Sequence, residues 1–295
     1  MPSLDALARL ASRGVVELTA VVTQPDRPGH RGRIAPSPVK ARALELGLDV
    51  VQPARLRGAE LEELIERRPA QLVWAAYGNL IPSSLLDAAG GRAINVHASL
   101  LPRWRGAAPV AHALLAGDRE TGITLMQGTA SLDAGPILGV SPVTIDEVEN
   151  AGELTARLAT LGGAVLEREL PRYLSGELPA LPQDEGQVAW APKVTSADGV
   201  LDLSRPADEL VRRVRAMTPD PGASLVLRGQ RLLVTRASIA GGRGTDRGTL
   251  ELRDGVPHVA AGAGWLRLDE VRPPGRKTMS GAAWARGLPR SRQAK

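Results

Sequence analysis

Three residues of the 295-residue chain have types and spacing that could do chemistry. Asn95 and His97 stand two apart in "AINVHASLLPRWRGAAP" (93–109), so on a strand both side chains leave the same face. An amide and an imidazole there can both donate to a developing oxyanion, and the imidazole can also move a proton near neutral pH. Either residue alone is as readily a hydrogen-bonded structural group at a strand end. Together they gain weight from position, because ligands of open α/β sheets bind at the carboxyl ends of the strands. Asp133, in "SLDAGPIL", is the candidate third member. It is either an Asx-turn residue before a Gly-Pro turn or a carboxylate that orients the imidazole and favours its charged form.

Two loops carry further candidates. "SLLPRWRGAAP" combines leucines, a proline and a Trp–Arg pair. It is either a rigid, partly cationic ligand loop or a structural turn with the Trp in the core, and spacing leaves both open. "QPDRPGHRGRIAPSPVK" carries Arg27, His30, Arg31, Arg33 and Lys40 among Gly and Pro. Following a strand, it is a candidate contact for a phosphate backbone, or else a solvated charged loop. Neither GxxxxGKS nor a GxGxxG opening a helix occurs, so the standard nucleotide fingerprints are missing.

Stepping along the chain, "VVELTAVVTQ", "DVVQP", "QLVWAAYG" and "RAINVHA" read as strands, the last two as runs buried on both faces. "SPVKARALELG", "AELEELIERR" and "SSLLDAA" read as the intervening helices, the first ending near Gly47. That rhythm predicts an α/β fold with a parallel sheet and helices on both sides. "APVAHALLAGD" follows as a helix, "GITLMQGT" and "PILGVSPVTI" as strands, and 151–176 as a long helix that Pro171 interrupts or kinks. The Pro-rich stretch 177–195 reads as a linker. Beyond it, one helix and several short strands with Gly-containing turns predict a small antiparallel barrel, closed by a frayed basic tail. The start is anomalous: a helix capped by Ser3 opens the chain, with no strand before it to cross over from.

Composition excludes several classes. With no Cys, neither disulfides nor thiolate metal sites exist. The four His (His30, His97, His112, His258) show no HExxH-like spacing, so no metal is expected. No apolar run approaches the roughly 20 residues that span a bilayer, and the opening residues are too polar for a signal peptide. A soluble cytoplasmic protein is expected. A hydrophobic fraction of 43% and a charged fraction of 23% describe a globular chain. The net charge of +5, mostly from Arg, permits a nucleic-acid partner without demanding one.

Taken together, "INVHASLLPRWRGAAP", "GDRETGITLMQGTASLDAGPIL", "VVTQPDRPGHRGRIAPSPVKARALELG", "AGELTARLATLG" and "WAPKVTSADGVLDLSRPADEL" resemble the methionyl-tRNA formyltransferase family, in order and over nearly the whole chain. Asn-x-His with Ser-Leu-Leu-Pro marks the wider superfamily that uses 10-formyltetrahydrofolate. The "RWRGAAP" extension, the basic loop and the C-terminal segment narrow it to the tRNA enzymes. The resemblance implies a Rossmann-like formyltransferase domain over 1–178, a linker over 179–196 and an OB-like, tRNA-contacting domain over 197–295. It implies that Asn95, His97 and Asp133 are catalytic, and that Ser99, Leu100, Leu101 and Pro102 line the folate site. Arg31 is implied to contact the tRNA acceptor end, with Arg33 and Lys40 nearby. The implied reaction is formyl transfer from 10-formyltetrahydrofolate to the α-amine of methionyl-initiator tRNA, for translation initiation; it requires no metal, and a monomer is expected. Asn95 and a protonated His97 would stabilise the oxyanion, and Asp133 would keep His97 charged and help carry protons from the amine.

Two departures qualify what is carried over. The family opens close to "MRIVFAGTPEFAVPSLDAL", whereas this chain opens at "MPSLDAL". The first sheet strand and its turn are thus expected to be missing, through a misplaced start in preference to a real truncation. The chain as written is expected to be poorly folded or inactive, because losing a central strand costs more than the roughly 5–15 kcal/mol of a typical domain. Met217, Thr218 and Asp220 replace residues that are aromatic or Asn in the family, which weakens the expectation for barrel packing and its tRNA contacts. The alternatives are formyl transfer to another amine such as a sugar nucleotide, hydrolysis of the formyl group, and a catalytically dead tRNA-binding protein.

Overall fold

The computed structural model describes residues 1–28, 34–78, 80–242 and 246–288. The chain forms two compact units that do not follow sequence order. One comprises Met1–Pro109, Glu120–Thr144 and Thr155–Ala191; the other comprises Val110–Arg119, Ile145–Leu154 and Pro192–Lys295.

In chain order the elements begin α1 (Pro2–Ser12), β1 (Val21–Val22), β2 (Arg27–Pro28), β3 (Ile34–Ala35), α2 (Pro38–Glu45), β4 (Val50–Val51), α3 (Ala59–Glu66), β5 (Leu72–Ala75), α4 (Ser83–Ala88) and β6 (Ala93–His97). There follow α5 (Pro109–Ala116), β7 (Glu120–Gln127), β8 (Ile137–Thr144) and α6 (Ala151–Leu174). The alternation yields two parallel pairs, with Val21 opposite Val50 and Leu72 opposite Ala93. β7 is antiparallel to both β6 and β8, so the sheet β5-β6-β7-β8 is mixed. The 128–136 connection between β7 and β8 is too short for a parallel crossover, which needs about a dozen residues. Among the described residues no ladder joins the β1–β4 pair to this sheet, which leaves β5 at its edge. β5 is therefore half-buried where its apolar run predicts burial on both faces, whereas β6 is buried throughout.

Small residues bring the long helix onto the sheet. A Cβ on Gly162 of α6 would stand 2.9 Å from Val96 of β6, and one on Gly163 would stand 2.7 Å from the Pro2 carbonyl of α1. Val96 therefore faces α6, and its neighbours Asn95 and His97 leave the opposite face of β6. Arg9 of α1 and Arg13, the residue that follows the helix, both pair with Glu167 of α6. Helix α6 continues through Pro171, which sits in its last turns and removes a single i→i−4 bond there. Helix α1 starts one turn position earlier than predicted. Pro2 occupies the first turn, Met1 is the cap residue, and Ser3 lies inside the helix. Ser37 caps α2 through the Lys40 N–H, and Gly47 ends it at φ +68°.

The other unit contains α7 (Ala207–Met217), β9 (Ala223–Leu227), β10 (Gln230–Ala240), β11 (Leu250–Arg253), β12 (Val256–Ala260), β13 (Trp265–Arg272), β14 (Met279–Ser280) and α8 (Gly281–Ala285). Arg228–Gly229 and Asp254–Gly255 turn two hairpins with positive φ at both positions, as two-residue hairpin turns require. The strands pair antiparallel in the order β11-β12-β13-β10-β9, with β14 on β13. Among the described residues no ladder joins β9 to β11. The predicted small domain is thus an antiparallel sheet, with register irregularities in β10 on both sides of Arg236. The predicted frayed tail lies largely outside the described residues. No described helix is long and apolar enough to cross a membrane.

Candidate active site

β6 delivers Asn95 and His97 to the same face at its carboxyl end, both buried. Asp133 reaches them from the β7–β8 connection, at φ +49°, a left-handed conformation that Asp tolerates better than most residues. Gly135 makes this approach possible, since a Cβ there would fall 1.7 Å from the Gln127 carbonyl. The Asn95 amide Nδ2 donates to Asp133 Oδ1 at 3.0 Å. The other carboxylate oxygen, Oδ2, accepts the Gly106 N–H at 2.9 Å and stands 3.6 Å from His97 Nδ1. That last distance is a charge contact rather than a hydrogen bond.

The His97 ring is held from its other side. Its Nε2 lies 3.0 Å from the Trp104 carbonyl, which can only accept, so Nε2 carries the proton. Trp104 aims that carbonyl at φ +67°, with the Arg103 guanidinium stacked 4.2 Å from its ring centroid. Neutral His97 therefore presents Nδ1 as an unprotonated base beside Asp133, and the imidazolium carries its second proton there. Asn95 Nδ2 uses one of its two hydrogens on Asp133.

The loop between β6 and α5 is built by its own hydrogen bonds. Ser99 Oγ donates to the Arg103 carbonyl, and Thr124 Oγ1 of β7 donates to the Ser99 carbonyl while accepting the Leu101 N–H. Ser99 and Leu101 are buried, whereas Leu100 and Pro102 are half-buried. Arg105, a candidate cation for an anionic ligand on sequence grounds, is buried instead against protein. Its guanidinium donates to Gln183 Oε1 and to both carboxylate oxygens of Glu185. In turn it holds the Glu185 carboxyl below its ordinary 4.5. The Arg105 main chain pairs with Ala189 and Ala191. The stretch that reads as a linker is thereby pinned at both ends, since Leu181 pairs with Ile137 as well.

Of the basic-loop candidates, Arg31 and Arg33 lie outside the described residues, as does His30. The Lys40 ammonium donates to Asp26 Oδ2 and to Gln52 Oε1, both at 2.6 Å. Asp26 is held below the usual carboxylate range by those same partners. Sequence reasoning missed Gly106 and Gln183. Gly106 had a signal in the Arg-Gly pair after a Trp, because its φ of +123° and a Cβ position 2.6 Å from the Ala191 carbonyl admit only glycine. Gln183 had none. Among the described residues no group of three or more His, Asp or Glu side chains could hold a metal ion.

The donor set fits a carbonyl whose oxygen becomes negative, with an acid–base group beside it. Comparisons with known proteins point the same way. The family described as "Formyl transferase" matches residues 4–170, and its C-terminal domain family matches 193–289. A methionyl-tRNA formyltransferase of Halorhodospira halophila is 43% identical over 290 residues, covering 97% of this chain and 92% of the relative. That of Methylococcus capsulatus is 45% identical over 264 residues, covering 88% and 86%. Among solved structures, an N-formyltransferase of Helicobacter canadensis, in complex with folinic acid and dTDP-3-aminofucose, has a TM-score of 0.71 at 13% identity, covering 90% of this chain and 95% of its own. HypX from Aquifex aeolicus in complex with tetrahydrofolic acid has a TM-score of 0.60 at 18% identity, covering 82% and 43%. At those identities the structural likeness speaks for the fold alone.

Proposed function

The chain belongs to the methionyl-tRNA formyltransferase family, and we propose that Asn95, His97 and Asp133 carry transfer of the formyl group of 10-formyltetrahydrofolate to the α-amine of methionyl-initiator tRNA. A single observation carries this assignment: one carboxylate meets the Asn95 amide, the Gly106 N–H and the His97 ring in one buried cluster. When bound, the folate supplies an activated formyl carbonyl. As the new N–C bond forms and the bond to N10 breaks, negative charge develops on the formyl oxygen and the amine sheds a proton that must reach N10. The second Asn95 N–H donates to that oxygen. His97 takes up the amine proton at Nδ1, the ring nitrogen not committed to a hydrogen bond. Asp133 stabilises the imidazolium across the 3.6 Å contact and fixes the Asn95 amide.

The folate lies along Ser99, Leu100, Leu101 and Pro102. Leu100 and Pro102 give it apolar surface, while Ser99 and Leu101 hold the loop's shape from inside. Arg31, Arg33 and Lys40 contact the tRNA acceptor end, supported by the basic composition of that loop. The protein acts as a monomer in the cytoplasm, where charged initiator tRNA is found.

The test is formylation of methionyl-initiator tRNA with 10-formyltetrahydrofolate, run for this chain and for one extended upstream of Met1. A dTDP-aminosugar serves as the competing amine. Formyl-methionyl-tRNA from either protein is the expected result. Activity on the sugar alone, or tRNA binding without turnover in both proteins, would refute the proposal.

A further inference from the structure

Gln183 stands fifty positions from Asp133 in the sequence, yet its amide grips the turn that presents that carboxylate. Its Nε2 donates to the main-chain carbonyls of Asp133 at 2.9 Å and Gly135 at 2.7 Å. Its Oε1 accepts from Arg105 Nε at 3.0 Å and Nη2 at 2.8 Å. Carbonyls only accept and guanidinium only donates, so the amide has one possible orientation, with both hydrogens used. Arg105 is 3% exposed and is locked by Glu185 and by main-chain bonds to Ala189 and Ala191. The next residue, Gly106, donates its N–H to the Asp133 carboxylate, and the preceding one, Trp104, fixes His97. Three consecutive residues thus set the imidazole, the carboxylate and, through Gln183, the backbone behind the carboxylate.

The geometry points to Gln183 as a positioning residue for Asp133, acting with Arg105. Asp133 is left-handed, at φ +49°, and among the described residues the Gln183 amide is the donor that reaches the carbonyls on either side of Ala134. Without the amide the turn relaxes, and the carboxylate loses its alignment between Asn95 and Gly106. The Gln183 amide is committed to Arg105, Asp133 and Gly135, so its effect falls on turnover and not on substrate binding. This inference rests on the role proposed above for Asp133.

The experiment is a double-mutant cycle in whichever form of the protein formylates methionyl-initiator tRNA. Gln183→Leu removes both donors, and Gln183→Glu removes them while keeping an oxygen for Arg105. Each is made alone and with Asp133→Ala, and kcat, KM for both substrates and melting temperature are measured. Each single Gln183 variant is expected to lower kcat about 10- to 100-fold, the scale of a misplaced catalytic group, with both KM values within about twofold. In the Asp133→Ala background neither should lower kcat further. Equal effects in both backgrounds, an effect on KM alone, unchanged kcat, or failure of both Gln183 variants to fold would overturn the inference. Full activity of Asp133→Ala alone would instead overturn the role of Asp133, which separates the two claims.

Discussion

At the scale of single residues, the site is an arrangement of one acceptor, two donors and an imidazole. Asp133 has two oxygens that meet Asn95, Gly106 and, less closely, His97. Asp133→Asn keeps the volume but presents an oxygen to only one side, turning an NH2 towards a donor on the other. It should lower kcat by about 10²-fold or more while leaving the circular dichroism spectrum unchanged. Asn95→Ala removes the proposed oxyanion donor and should lower kcat about 10²- to 10³-fold with little change in KM for folate. Asn95 and His97 were legible because a strand's period of two puts them on one face, and Asp133 because a Gly-Pro turn follows it. Gln183 was illegible: it lies in a Pro-rich stretch without periodicity, and only the folded chain brings it under the Asp133 turn. Arg105 was legible as a charge but not as a structural one, because its partner Glu185 is remote in sequence.

At the scale of elements, the site depends on close backbone approaches. Gly106 at φ +123° lies against the Ala191 carbonyl, so Gly106→Ala would push 189–191 away and shift the N–H that holds Asp133. A lower melting temperature together with a kcat loss of about tenfold or more is expected, whereas Gly241→Ala, with open space around its Cβ and no positive φ, should leave kcat unchanged. The Arg105–Glu185 pair adds a pH signature. Folding lowers the Glu185 pKa, so the pair stabilises the fold above the ordinary 4.5 and loses that contribution as pH falls through the depressed folded value. Melting curves between pH 3 and 6 should therefore show a steeper acid loss for the wild type than for Glu185→Gln, and matching slopes would contradict the pairing. The helices other than α8, the hairpin turns and β6 followed from patterning and Gly positions, whereas the single turn of α8 is too short to show a period. The antiparallel pairing of β7 with β6 and β8 did not follow, because a strand's own residues do not write its direction: β7 reverses after a helix-containing connection over 98–119 that is long enough for a parallel crossover. Nor did the half-exposed β5, whose apolar run is the same whether it is central or at an edge.

At the scale of the molecule, the excess of basic over acidic residues matters more for the tRNA than for the folate. KM for methionyl-tRNA should rise steeply with ionic strength and KM for 10-formyltetrahydrofolate should stay nearly flat. Arg31→Ala should reduce the logarithmic salt slope for tRNA by about one unit, the share of one phosphate contact. Lys40→Ala should reduce it less, because Asp26 and Gln52 already hold that ammonium. A salt-independent KM for tRNA would remove the basic loop from the account. The change in composition near 177 does not mark the two units, which place Val110–Arg119 and Ile145–Leu154 with Pro192–Lys295; nor was the return of 179–191 to the unit of β6 legible, since its main-chain bonds to Arg105 and Ile137 leave no trace in its own sequence.

The most direct measurement is the single-turnover rate of formyl transfer by His97→Ala, at saturating folate and methionyl-initiator tRNA, with folding checked by circular dichroism. A loss of at least about 100-fold in a folded protein is predicted, since the group that takes the amine proton is gone. A folded His97→Ala that formylates tRNA at near the wild-type rate would contradict the assignment of this cluster as the catalytic centre.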